Sequence, residues 1–209
     1  LEKSALSEDE QERQASLDSL AVLDTPAEER FDRITRIARR ALDIPIVLIS
    51  LVDRNRQWFK SAQGIEATET PREVSFCGHA ILGDEALVVP DATQDERFAD
   101  NPLVTEGPRI RFYAGQPLAA PDGQKVGTLC VIDTKPRGFT PQDCETLRDL
   151  AALVENELHV ARLSRTQLEL RAELASARTK ASIDSLTRLW NRESILEISR
   201  REISRADRS

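Results

Sequence analysis

Apolar and polar positions along the chain switch between a helical and a strand period. Ser7 followed by Glu8, Asp9 and Glu10 reads as a cap with acidic residues at a helix N-terminus, and a polar pattern then runs to about Leu23. A second helix start follows at Thr25, Pro26 and Glu28: hydroxyl cap, first-turn proline and capping-box glutamate. Phe31, Ile34, Ala38 and Ala41 then share one face, and the helix should end before Pro45. Branched aliphatics from Ile46 to Asp53 predict a buried strand, and Asp53-Arg54-Asn55-Arg56 predicts the turn into another, Gln57 to Gln63. Ser75 to Leu82 reads as a short helix and Ala86 to Val89 as a short strand stopped by Pro90. A long polar connection, Asp91 to Pro108, carries a helical turn near Asp95 to Phe98, and connections of this length are often binding loops. Arg111 to Leu118 and Lys125 to Asp133 are extended segments around the turn Pro121-Asp122-Gly123. Thr140, Pro141 and Asp143 open a last helix that meets no proline or glycine before the C-terminus. Strands joined mainly by hairpins, with helices at both ends, predict an α+β fold: an antiparallel sheet with flanking helices.

Within the last helix, Val160, Leu163, Gln167, Leu170, Leu174, Ala177 and Ala181 recur at alternating steps of three and four, the spacing of a coiled-coil seam. Ala161, Leu168 and Ala175 lie beside the seam, so a second register competes, and Gln167 in the core would weaken the seam and set alignment. The pattern predicts a stalk continuing roughly 35 Å past a domain that ends near Leu158, at about 1.5 Å per residue, and a parallel homodimer. The alternative is a single amphipathic helix packed on its own domain.

Composition narrows the class. Hydrophobic residues at 40% and charged residues at 31% fit one folded core with a soluble surface. The longest aliphatic run, Ile44 to Val52, is broken by Pro45 and Ser50 and falls far short of a bilayer span, so no membrane contact is expected from this segment. Twenty-nine basic against 36 acidic residues give a net charge of −7, which opposes binding to nucleic acid. Three cysteines without a repeated short spacing suggest neither a disulfide framework nor a zinc site, and a reducing cytoplasm is the natural compartment. Leu1 in place of an initiator methionine, with no apolar signal after it, suggests a processed or trimmed product.

Chemistry concentrates in two places. Phe76-Cys77-Gly78-His79 sets a soft thiol two residues from an imidazole. Two ligands are too few for a metal, and the other histidine, His159, lies on the long helix, so the reading divides between a buried cap over a pocket and plain core packing. Arg111, Phe112 and Tyr113 set a cation beside aromatics. Strand alternation would put Arg111 and Tyr113 on one face, as an anion or aromatic clamp, or leave Arg111 in a structural ion pair. Trp58 is better read as cover for the sheet than as pocket lining. Cys130, between Leu129 and Val131, reads as buried, and Cys144 as a helix-opening residue without chemistry.

From about Thr25 to Leu158 the chain resembles a GAF domain of bacterial sensor proteins. The matching stretches are LDTPAEERFDRI, IVLISLVDRNRQWFKS, ETPREVSFCGHAIL, LVVPDATQDERFADNPLV, IRFYAGQPL and GTLCVID, in order. The resemblance implies a small-molecule pocket above the sheet and dimerisation through terminal helices. Phe76, Cys77, His79, Arg111 and Tyr113 are the candidate pocket residues for an unidentified ligand, with no cofactor required. Neither the chromophore cysteine of tetrapyrrole-binding relatives, the cysteine pairs of methionine sulfoxide reducing relatives, nor the Asn-Lys-Phe-Asp-Glu set of cyclic-nucleotide binders is evident. Further on, Asp184, Leu186, Thr187, Leu189, Asn191 and Arg192 resemble the opening of a GGDEF domain, which implies a parent protein making cyclic di-GMP from GTP. The GGDEF loop and catalytic carboxylates would lie beyond Ser209, so the chain itself is expected to be non-catalytic. The implied division is an N-terminal helix over 1–24, a sensor over 25–158, a linker helix over 159–183 and the start of a GGDEF domain over 184–209. Two other classes compete: a ligand-free GAF dimerisation module and an independent redox enzyme.

Overall fold

The computed structural model describes residues 6–7, 9–181 and 195–196. Helices α1 (Glu10–Leu20) and α2 (Glu29–Ala41) lead into strands β1 (Ile46–Val52) and β2 (Arg56–Gln63). The middle of the chain holds β3 (Glu69–Pro71), a 3₁₀ turn over Arg72–Val74, α3 (Phe76–Ala80), β4 (Leu87–Val89) and α4 (Pro102–Thr105). The hairpin β5 (Phe112–Ala119) and β6 (Lys125–Asp133) precedes the long helix α5 (Pro141–Ala181). The strands form one antiparallel sheet in the order β3-β2-β1-β6-β5-β4, so the first and last hairpins meet at its centre. No helix among the described residues is long and apolar enough to cross a membrane. The described residues up to Arg162 form one compact unit, and those from Leu163 belong to a second.

Alternation along the central strands builds two cores. Val47, Ile49 and Leu51 of β1, Leu129 and Val131 of β6, and Phe112, Ala114 and Leu118 of β5 point to one face. There they meet Leu17 and Leu20 of α1, Phe31, Ile34 and Ala38 of α2, and Leu147, Leu150, Ala151, Val154 and Leu158 of α5. Ile46, Leu48, Val52, Tyr113, Cys130 and Ile132 point to the opposite face, covered by Phe76, Cys77, Ala80 and Ile81 from α3 and its exit, and by Phe98 and Val104 from the long connection. Each large side chain buried on either face contributes roughly 1.5–3 kcal/mol, so a bare face would forfeit much of the stability.

Local chemistry explains where elements begin. Thr140 and Asp143 form a reciprocal capping box on α5: the Asp143 N–H donates to Thr140 Oγ1 (3.2 Å) and the Thr140 N–H to Asp143 Oδ2 (2.9 Å). The expected cap at Thr25 is not formed, because its hydroxyl donates to the Val22 carbonyl (2.6 Å) and α2 starts after Glu28 without a side-chain cap. Leu42 rather than Ala41 completes the buried stripe of α2, lying three turns on from Phe31, where the 3.6-residue period returns to the same face. Helix α1 stops at Leu20, short of Leu23, with Ala21 left-handed at φ 49°. Two elements carried no clear periodicity and were not expected: β3 is three residues long, and α4 is a single turn capped by Asn101 Oδ1, which accepts the Leu103 N–H at 2.9 Å.

Three buried cations tie the helices to the sheet and its connections. A register shift opposite Ile49 and Ser50 makes Lys60 the extra residue of a bulge in β2. Its ammonium reaches Thr25 Oγ1 (2.6 Å), the Pro26 carbonyl (3.0 Å) and Glu28 Oε1 (2.6 Å), pinning the segment that joins α1 to α2. Arg13, 1% exposed, donates to the Val52 carbonyl (2.8 Å) at the end of β1 and to Glu10. Arg72, from the 3₁₀ turn, takes the same Glu10 carboxylate from the other side (2.6 and 2.9 Å). Burial opposes the charge on Glu10, but hydrogen bonds from Arg72 and Arg13 outweigh it and hold the carboxyl at about 2, against an ordinary 4.5. A depressed carboxyl contributes stability that is complete above its unfolded value and is lost as pH falls through its folded one. The protein should therefore lose stability between pH 4.5 and about 2 more steeply than a Glu10→Gln variant. Urea unfolding across that window measures the two slopes, and equal slopes would refute the linkage.

Candidate functional site

The sheet face opposite the terminal helices carries most of the unusual chemistry. Ser75 caps α3: its Oγ accepts the Gly78 N–H (3.0 Å) and its hydroxyl bonds Gln57 Oε1. This cap aims the first turn of α3 at the sheet and sets Cys77 over β6. The sulfur atoms of Cys77 and Cys130 lie 3.7 Å apart, and the Tyr113 hydroxyl donates to Cys77 Sγ at 3.4 Å. Phe76 stacks on Phe98 (centroids 4.0 Å, 14° between planes) and tilts against Tyr113 (5.1 Å). The His79 ring meets Phe98 edge-on at 5.0 Å.

Gly115 makes the placement of Tyr113 possible. It faces Cys130 across the β5–β6 ladder, and a Cβ built there would lie 2.1 Å from Tyr113 Oη and 2.6 Å from Cζ. The phenol ring thus lies along its own strand in the space that a side chain at 115 would fill. Electrostatics follows from burial. Burial raises the Tyr113 phenol well above its usual value, and the neighbouring Cys77 adds to the rise. The hydrogen bond to Cys77, then burial, push the Cys130 thiol up. Burial also opposes ionisation of Cys77, but its polar neighbours, Cys130 first and the Tyr113 hydroxyl among the rest, turn the balance and lower this thiol.

Of the five residues singled out in the sequence, Phe76, Cys77 and Tyr113 come together in the buried cluster, and His79 sits half-buried at its edge. Arg111 does not join them. The strand begins only at Phe112, so strand alternation does not extend to Arg111, and its guanidinium donates to the Val104 carbonyl in α4 (2.9 Å) and to the adjacent Ile110 carbonyl (3.0 Å). Helix-end carbonyls without intrahelical donors are natural partners for such a group, so its partners are backbone oxygens and not the carboxylate expected of a structural ion pair. Trp58 lies on the other face, buried in the core beneath α1, α2 and α5. Cys144 is half-buried in the first turn of α5. The sequence reading missed the Cys77–Cys130 approach, because 53 positions separate the two and only the order of strands brings them together. It also missed the buried polar set Ser50, Gln57 and Ser75, for which the one available signal was a serine inside an aliphatic run.

Residues 26–158 match the pattern of the GAF domain. The chain belongs to the GAF family. Over 156 residues this GAF protein is 47% identical to a cyclic di-GMP phosphodiesterase of Pseudomonas aeruginosa; the match takes in 74% of the chain and 27% of that relative's length. The fold is similar to free methionine-R-sulfoxide reductase from Neisseria meningitidis (TM-score 0.54, 19% identity, covering 78% of this chain and 98% of that one). It is also similar to the GAF domain of a phosphoenolpyruvate-protein phosphotransferase from Acinetobacter (TM-score 0.50, 15% identity, 76% and 97%). At these identities the structural likenesses establish the fold alone. The residues that resemble a GGDEF opening, Asp184 to Arg192, lie outside the described residues.

The cradle under Tyr113 is directly testable. Gly115→Ala should overpack the face and cost about 1–3 kcal/mol, read as a lowered urea midpoint with an unchanged slope. A midpoint equal to that of the parent would show that the phenol ring is not seated over residue 115.

Proposed function

We propose that this chain is the input portion of a cyclic di-GMP signalling protein, in which a GAF domain controls a GGDEF-type output through a paired α5 stalk. Helix α5 is the observation that carries the reading. Its residues Leu147, Leu150, Ala151, Val154 and Leu158 are buried against the sheet, while Leu153, Val160, Leu163, Leu170 and Leu174 are each about half exposed or more. Leu153 lies one heptad before Val160, so the seam starts on the outer side of the domain's own helix, opposite the buried positions. In this reading α5 serves the core with one face and offers a second copy the other. A parallel homodimer would bring two outputs together, and a change in the sheet that shifts the inner face would turn the outer one. The 47% identity to the Pseudomonas relative supports the link to cyclic di-GMP, and the Asp184 to Arg192 motif supports a cyclase as the output. That relative's own activity favours a second reading, an output that hydrolyses the same messenger. Either output works on an intracellular nucleotide, which fits a cytoplasmic protein.

A ligand would enter by parting Phe76 from Tyr113 and from the Phe98–His79 pair, since aromatic rings fill the face over the sheet. That filling also favours a GAF module that only pairs its outputs. A panel of small metabolites separates the two, because a compound bound only by the folded state must raise the unfolding midpoint.

Two measurements bear on the stalk. Leu163→Glu with Leu174→Glu should shift the chain from dimer to monomer in sedimentation velocity without lowering the stability of the sheet domain; a wild-type chain that sediments as a monomer at high concentration would sink the pairing. Residues 1–183 joined at the Asp184 motif to an active GGDEF domain should lose at least tenfold in cyclic di-GMP synthesis when one to three residues are inserted after Leu170. A seven-residue insertion should restore it, whereas indifference to every insertion would exclude control through stalk geometry.

A further inference from the structure

We propose that Cys77 and Cys130 form a two-electron redox site, which a small hydroperoxide oxidises to a disulfide across the face of the sheet. The inference starts from the thiol geometry and is independent of the sensor reading.

The two sulfurs are 3.7 Å apart, one on a short helix and the other on a central strand. Cys130 is held on both sides, its strand paired with β1 through Leu48 and with β5 through Gly115. Cys77 rides on a helix of five residues, so the approach to the roughly 2.05 Å of a disulfide falls to α3 and to the side-chain torsions. The Tyr113 phenol, seated over Gly115, donates to Cys77 and not to Cys130, which singles out Cys77 as the sulfur on which negative charge is stabilised. The shifts run the same way, with Cys77 lowered and Cys130 raised. Cys77 is therefore the attacking thiolate, and Cys130 stays protonated as the resolving thiol.

The chemistry balances with the peroxide as oxidant. Cys77 sulfur attacks one peroxide oxygen, the O–O bond breaks, and the leaving hydroxide takes up the proton shed by Cys77 to become water, leaving a sulfenic acid. Cys130 sulfur then attacks Cys77 sulfur, the S–O bond breaks, and the departing hydroxide takes the Cys130 proton as a second water. Two thiols lose two electrons, and one hydrogen peroxide is reduced to two waters. Exposures of 2% and 0% at the two cysteines select a small uncharged oxidant over a bulky disulfide. Closure would draw α3 toward β6. The same displacement would reach the Arg72–Val74 turn just before it, and through Arg72 the Glu10 carboxylate of α1.

The test uses the full chain carrying Cys144→Ser, reduced, freed of reductant and exposed under native conditions to a few equivalents of hydrogen peroxide. After denaturation and alkylation, both remaining thiols should be blocked. The mass should fall by two hydrogens, a linked Cys77–Cys130 peptide should appear, and dithiothreitol should reverse all three. With Cys130→Ser added, Cys77 should stop at a sulfenic acid that dimedone labels. Three results would overturn the proposal: both thiols alkylate fully after added glutathione in the same tube has oxidised; Cys77 passes to sulfinic acid while Cys130 stays free; or the link forms only in urea. Should Cys144→Ser fail to fold, peptide mapping of the unmodified chain reads the same link.

Discussion

The two central strands are apolar on both faces, and this constraint organises the rest of the molecule. β1 is buried at every position, and β6 at all but its ends. Neither side of the sheet is left to water, so the chain must supply two covers. The helices at its ends form one, because α2 and α5 each carry an apolar stripe and α1 adds Leu17 and Leu20. The other must come from the stretch between β2 and β5, which holds two three-residue edge strands, short helices and turns. That cover is therefore assembled from separate pieces, each fixed by a side-chain cap: Ser75 at α3 and Asn101 at α4. Asn101 also donates to the Val74 carbonyl (2.9 Å), which locks one piece to the other.

Polar groups enter the interior where the pieces join. Lys60 is fully enclosed yet finds three oxygen partners, and Arg13 and Arg72 share one carboxylate. A buried charge that lost its partner would cost several kcal/mol, so these groups fix a single arrangement of connection and sheet, whatever their net contribution to stability. On the opposite face the polar content is softer: thiols, a phenol and hydroxyls beside aromatic rings. That contrast places charged anchors under the terminal helices and thiols and a phenol under α3.

Long elements were legible in the sequence because their signal is periodic. The strand Ile46–Val52, the closing hairpin and the start of α5 at Thr140 each follow from local residues, and the sheet with flanking helices follows from their order. Short elements were not legible, since three residues of β3 or four of α4 cannot display a period. The cap misread at Thr25 has a physical cause of a different kind: Lys60, 35 positions away, claims that hydroxyl for its own ammonium. Of the candidate site, the Phe76 to His79 segment was visible as a concentration of chemistry, but its partner Cys130 was not. Nothing in the strand GTLCVID distinguishes a thiol that merely fills space from one that faces another thiol.

The boundary of the family match has a practical consequence at α1. The match begins at residue 26, yet Leu17 and Leu20 are within 2% of complete burial beneath the sheet, and Arg13 holds the end of β1. An expressed fragment trimmed to the family limits would expose a hydrophobic trough, leave the Val52 carbonyl without its guanidinium, and strip Arg72 of its counter-ion. For this protein the unit of folding starts before the first residue of the family pattern, and whoever cuts the gene should respect the former.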